Sequence, residues 1–187
     1  MALPSRRVKL SNNPVPGESW LTFAKVVLGS WMMVWIFAAI HNQYLIRIAP
    51  EHFTVYHFKI PFVRDYTLLG ITWAFMASSS PGIVLGMCLY VAGRVFDRPK
   101  LSVKQLLLST IWVWVAVEIC AISLGIAAWV TRKPIFPEDL YPTFERGLLT
   151  TQTIQLTAYL TGAIFSVILI IWTWHRRSRL PALAAMA

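Results

Sequence analysis

The sequence predicts an all-α integral membrane four-helix bundle, with both termini cytoplasmic and a short helix or strand in the outer loops. Three observations predict it. The 187 residues are 57% hydrophobic and only 13% charged, about half the charge of a soluble domain. Four apolar segments, about 21–40, 67–93, 105–130 and 148–174, each reach the roughly 20 residues that cross about 30 Å of hydrocarbon. Lys and Arg gather at the ends of those segments, which is where they set orientation in a bilayer.

The N-terminal residues 1–20 carry Arg6, Arg7 and Lys9 ahead of the apolar stretch Val26–Ile40. That length resembles the hydrophobic core of a signal peptide. Phe37 stands where a cleavage site wants a small residue, so the segment is expected to remain as a signal anchor. In lipid every backbone group must bond internally, which makes each of the four runs a helix. Trp20, Trp73, Trp129, Trp172 and Trp174 fall near segment ends, as interfacial anchors do. Residues 21–174 form one membrane domain and 175–187 a basic tail.

Orientation follows from the basic residues. Eleven Lys and Arg lie on the side of the termini and the 94–104 connection, against six on the other side. The positive-inside rule then puts the termini in the cytoplasm. The net charge of +9 is explained by that bunching, so nucleic acid is not an expected partner. The partners are the lipid bilayer and either a membrane protein or a second copy. Cys88 and Cys120 both fall inside apolar runs and read as small buried hydrophobes rather than a disulfide.

The outer connections, about 41–66 and 131–147, hold most of the side chains capable of chemistry. APEHFTVYH, residues 49–57, brings Glu51, His52 and His57 together, with His41 and Asp65 on either side. Imidazoles and carboxylates are metal ligands and proton carriers, which makes His52 and His57 the metal candidates. Their spacing fits no helical ligand pair, since such pairs stand three or four residues apart. The structural account is a short helix opened by Pro50, whose missing N–H matters little in the first turn, with Glu51 at the positive end of its dipole.

Glu118 sits near the middle of the third segment, with no Lys or Arg at its depth. An ionised carboxylate there costs about 2.5–3.5 kcal/mol unless it finds a partner or a proton. The fourth segment offers hydroxyls and amides: Thr150, Thr153, Thr157 and Thr161 share a helical stripe, with Gln152, Gln155 and Tyr159 beside it. The acid either glues helices through such hydrogen bonds or lines a site that takes up protons or cations. In the second segment Ser78, Gly82 and Gly86 form a small-residue row for close helix packing, and Pro81 predicts a kink.

IAPEHFT after the first segment, PGIVLG in the second, RPKLS in the inner connection and QTIQLTAYLTG in the fourth resemble a family of bacterial multi-pass membrane proteins. The resemblance covers residues 40–174 and implies a small protein of the bacterial cytoplasmic (inner) membrane. It carries no activity or cofactor.

No nucleotide-binding glycine loop, HExxH or CxxC motif is present, and nothing in the sequence specifies a cofactor. Three function classes stay open. The first is a non-enzymatic accessory, scaffold or assembly protein. The second is a small proton- or cation-coupled transporter using Glu118. The third is a membrane enzyme with an outer-face site of His41, Glu51, His52 and His57.

Overall fold

A computed structural model describes residues 19–96 and 98–184, with side chains through Arg179. Arg6, Arg7 and Lys9, which entered the charge count, lie outside the described residues. The described residues are helical, with no strand among them. The helices are α1 (Trp20–Ile48), α2 (Pro50–Thr54), α3 (Tyr66–Arg94), α4 (Val103–Thr131) and α5 (Arg146–Ala184). All but α2 are long and apolar enough to cross a membrane.

Local chemistry sets the ends. Ser19 caps α1 by accepting from Leu21 N at 3.1 Å, and Asp65 caps α3 by accepting from Leu68 N at 2.8 Å. Ser102 and Gln105 form a reciprocal capping box on α4, which answers two of the orphan donors at a helix start. Pro50 disfavours helical backbone at the residue before it, and α1 stops at Ile48 before α2 begins. The strand alternative for the outer segment is therefore replaced by the five-residue helix α2.

Two bounds differ from the hydropathy reading. α1 continues eight residues past Ile40 to Ile48, and α5 runs through the expected tail to Ala184. The physical reason is the same for both. An apolar run reports where hydrocarbon contact ends, while polar and basic residues propagate a helix as readily as apolar ones.

The chain folds as two antiparallel hairpins, α1 with α3 and α4 with α5, set side by side so that α1 meets α4 and α3 meets α5. The first hairpin is tight because glycines face a neighbouring backbone. A Cβ on Gly82 would lie 2.8 Å from Trp31 Cα, and one on Gly86 only 2.6 Å from Val27 Cα. Ser78 and Ser79 donate to the Phe75 carbonyl, and α3 passes through Pro81 as one helix.

Two buried apolar layers hold the bundle. Val26, Leu89, Tyr90, Leu106 and Val117 make one, and Leu45, Ile46, Phe53, Leu69 and Ile154 the other. Leu28, Ile36, Trp112, Ile119, Ile126, Ile164 and Ile171 remain exposed on the outside, an apolar surface suited to lipid. Cys88 and Cys120 are free thiols.

Candidate functional site

The seam between the hairpins carries polar clusters, and the first surrounds Glu118. On α1, His41 and Tyr44 are three residues apart and so share a face. That face meets the middle of α4. His41 Nδ1–H donates to Glu118 Oε2 at 2.8 Å, and the Tyr44 hydroxyl donates to Oε1 at 2.7 Å. The Tyr44 oxygen also lies 2.9 Å from His41 Nδ1, closing a triangle of three groups. This tautomer follows from the network, because both carboxylate oxygens already act as acceptors.

Phe37 covers one side of the cluster. It stacks on Trp114 at 5.2 Å between centroids and lies 5.6 Å from the His41 ring. His41 is buried, and its other nitrogen, Nε2, has no hydrogen-bond partner. Glu118 is less enclosed, with its side chain 26% exposed. The triangle thus brings together three groups, carboxyl, imidazole and phenol, whose chemistry is to hold or release a proton at oxygen or nitrogen.

The sequence-derived assignment changes in two ways here. His41 belongs to α1 and to the Glu118 cluster rather than to the outer-face group. Thr157 and Thr161 do not reach Glu118. Their hydroxyls donate to the carbonyls of Thr153 and Thr157, one turn back on their own helix, each at 2.7 Å. Short hydroxyl side chains bond their own helix readily, which satisfies the stripe internally.

The second cluster joins an outer-face candidate to an intramembrane one. His52, on α2, is 2% exposed, and its Nε2–H donates to Gln155 Oε1 in a close contact. Gln155 in turn donates to the Tyr159 hydroxyl at 2.5 Å. His57 Nδ1–H donates to the His52 carbonyl at 2.6 Å, and its ring packs edge-on to Trp73 at 4.7 Å. Burial, and then the charge of His57 beside it, push His52 down to about 4, so it is neutral near pH 7. Its Nδ1 is buried without a partner.

The remaining outer-face candidates stand apart. Glu51 is exposed in the first turn of α2, and Asp65 is committed to capping α3. Among the described residues no three His, Cys, Asp or Glu side chains converge as a metal site. His52 and His57 approach within 4.7 Å between centroids, yet each has one ring nitrogen already engaged.

A third cluster was not foreseen. Arg177 of α5 is fully buried and gathers four backbone carbonyls at the α3–α4 connection. It donates to Ala92, Val95 and Pro99 at 2.8, 2.9 and 2.8 Å, and to Arg98 at 3.1 Å. A cation suits this place, because the last carbonyls of α3 are orphaned and carry the negative end of the helix dipole. Comparison with family models, with curated proteins and with solved structures returned no match.

Proposed function

We propose that the chain is a proton-binding module of a bacterial cytoplasmic membrane, in which protonation at Glu118 adjusts the seam between two helix hairpins. One observation carries this reading: among the described residues, a carboxylate at the middle of α4 is held by His41 and Tyr44 of the neighbouring hairpin alone. Contact is most extensive within each hairpin, α1 with α3 and α4 with α5, so the seam between them is where a change of charge meets least resistance. Adding a proton to Glu118 removes one acceptor and weakens the hold of α4 on α1. Intramembrane carboxyl–imidazole–phenol groups have the chemistry of proton relays. The eleven-to-six distribution of basic residues supports cytoplasmic termini.

The test is infrared difference spectroscopy and proton counting on protein in liposomes, comparing the parent with Glu118→Gln and Tyr44→Phe. The parent is expected to gain a protonated-carboxyl band and about one proton per chain on acidification. Glu118→Gln loses both, and Tyr44→Phe shifts the titration. Equal proton uptake by the parent and Glu118→Gln overturns the reading.

The accessory or scaffold reading is favoured by a different observation, the partial exposure of Glu118 within an apolar outer surface. A partner helix, or a second copy, offering a donor at that depth would cover the carboxylate. Cross-linking from Ile119→Cys in native membranes checks it, and an adduct of fixed mass that is lost in Glu118→Gln is the supporting result.

A further inference from the structure

Beyond the Glu118 seam, α1, α4 and α5 leave an apolar groove of about 370 Å³ open to the side of the bundle. Tyr44, Ile122, Ile126 and Ile154 line it. Trp129 and Thr150 stand toward the rim, where α4 ends and α5 begins. From Ile122 to Trp129 the groove follows two turns of α4, about 10 Å along the membrane normal. That volume lies in the range of ligand sites, roughly 300–1,000 Å³. Left empty it would forfeit the dispersion contacts of its lining atoms.

We propose that this groove holds one hydrocarbon chain of an anionic phospholipid, with the phosphate against Arg146 and Thr150. The shape asks for a chain that runs beside the helices, and the lining is apolar along its length. The rim supplies the charge. Arg146 donates through Nε to the Trp129 carbonyl at 3.0 Å, and its guanidinium lies 4.0 Å over the Trp129 ring. That arrangement holds the planar fork in place, and a fork matches two phosphate oxygens. Arg132 and Lys133 lie at the same end. Glu145 precedes Arg146, but no ion pair joins them among the described residues.

The second, independent pointer is Thr150. It stands one turn beyond Arg146 on α5, is 4% exposed, and its hydroxyl oxygen has no partner. Thr153, Thr157 and Thr161 of that helix back-bond to their own backbone, whereas Thr150, like Thr151 and Thr173, does not, and of these three Thr150 is the one that lines the groove. A lipid oxygen at the rim answers it. The proposal does not depend on proton binding at Glu118.

Native mass spectrometry of the full chain in detergent tests it, with phosphatidylglycerol and phosphatidylcholine of matched chains as probes. The parent is expected to keep one phosphatidylglycerol with a preference of roughly tenfold, the scale of one charge-assisted hydrogen bond. Arg146→Gln removes that preference while chain binding persists. Arg146→Lys, which keeps the charge, retains part of it. Ile126→Trp, at a position 59% exposed to the outside, fills the groove and loses both lipids without unfolding. Equal retention of the two lipids by the parent overturns the anionic assignment. Undiminished retention by a folded Ile126→Trp overturns the groove, as does an Ile126→Cys disulfide between two copies in membranes.

Discussion

Replacing Arg177 by Met keeps most of the side-chain volume and removes the guanidinium. Four carbonyl bonds between 2.8 and 3.1 Å are lost together. A hydrogen bond from a charged donor contributes about 1.5–3 kcal/mol, and four in full would go beyond the roughly 4–5 kcal/mol above which single substitutions are exceptional. The connection sits at the end of the bundle, and water will reach part of what is exposed. The loss is therefore set by the buried carbonyl of Ala92 and the half-buried carbonyl of Val95, at about 3–5 kcal/mol, the range for breaking a buried polar cluster by removing one partner. Arg177→Lys supplies a point charge without the fork and restores less than half. Unfolding in mixed micelles with rising dodecyl sulfate, followed by far-ultraviolet circular dichroism, measures both. Arg98, whose guanidinium reaches Ser178 and Trp174 on the surface, is the control, and its Ala variant stays within about 1 kcal/mol. If Arg177→Met is as mild as Arg98→Ala, the guanidinium is one more surface cation and its four carbonyl bonds do not hold the α3–α4 connection.

The glycines give an internal contrast. Gly86→Val drives a side chain into the Val27 backbone and is expected to lose about 1–3 kcal/mol, whereas Gly162→Ala meets nothing within 4 Å and gains roughly 0.5–1 kcal/mol from helix propensity. Melting of the two variants in one detergent decides it, and equal effects refute the close-packed hairpin. His52 sets a pH dependence. Its folded value of about 4 lies below the ordinary 6.5, so its contribution is complete above pH 6.5. As pH falls toward 4 the unfolded chain takes a proton that the folded chain declines, and stability drops by up to about 3 kcal/mol. His52→Gln flattens that part of the profile; a parent that melts at the same temperature across the window removes the account.

The four long helices were legible because apolar length is a physical requirement of the bilayer, visible without any knowledge of packing. Helix ends were less so. His41, Asn42 and Gln43 look like an exit into water, yet Asn42 is buried and donates to the Gly70 carbonyl at 3.1 Å. Ending the first segment at Ile40 hid the partner of Glu118. The signal that could have found it was the spacing of His41 and Tyr44 on one helical face at a depth close to that acid. The threonine stripe misled for a related reason: its period marks a face, and a hydroxyl can satisfy itself on the preceding turn. Arg177 was hidden among Arg176 and Arg179, because nothing in the order of three arginines tells which one turns inward.

Arg177 also imposes an order in time. Its carbonyl partners at Ala92, Val95, Arg98 and Pro99 precede it by 78 to 85 residues. At synthesis rates of about 5–20 residues per second, those groups wait roughly 4–17 s for their donor. α5 is 39 residues long, about 58 Å, so Arg177 lies well beyond the reach of its apolar stretch into the hydrocarbon. The unfinished chain can thus leave the connection among water and headgroups for those seconds, and the last helix to emerge closes a junction that its predecessors leave open.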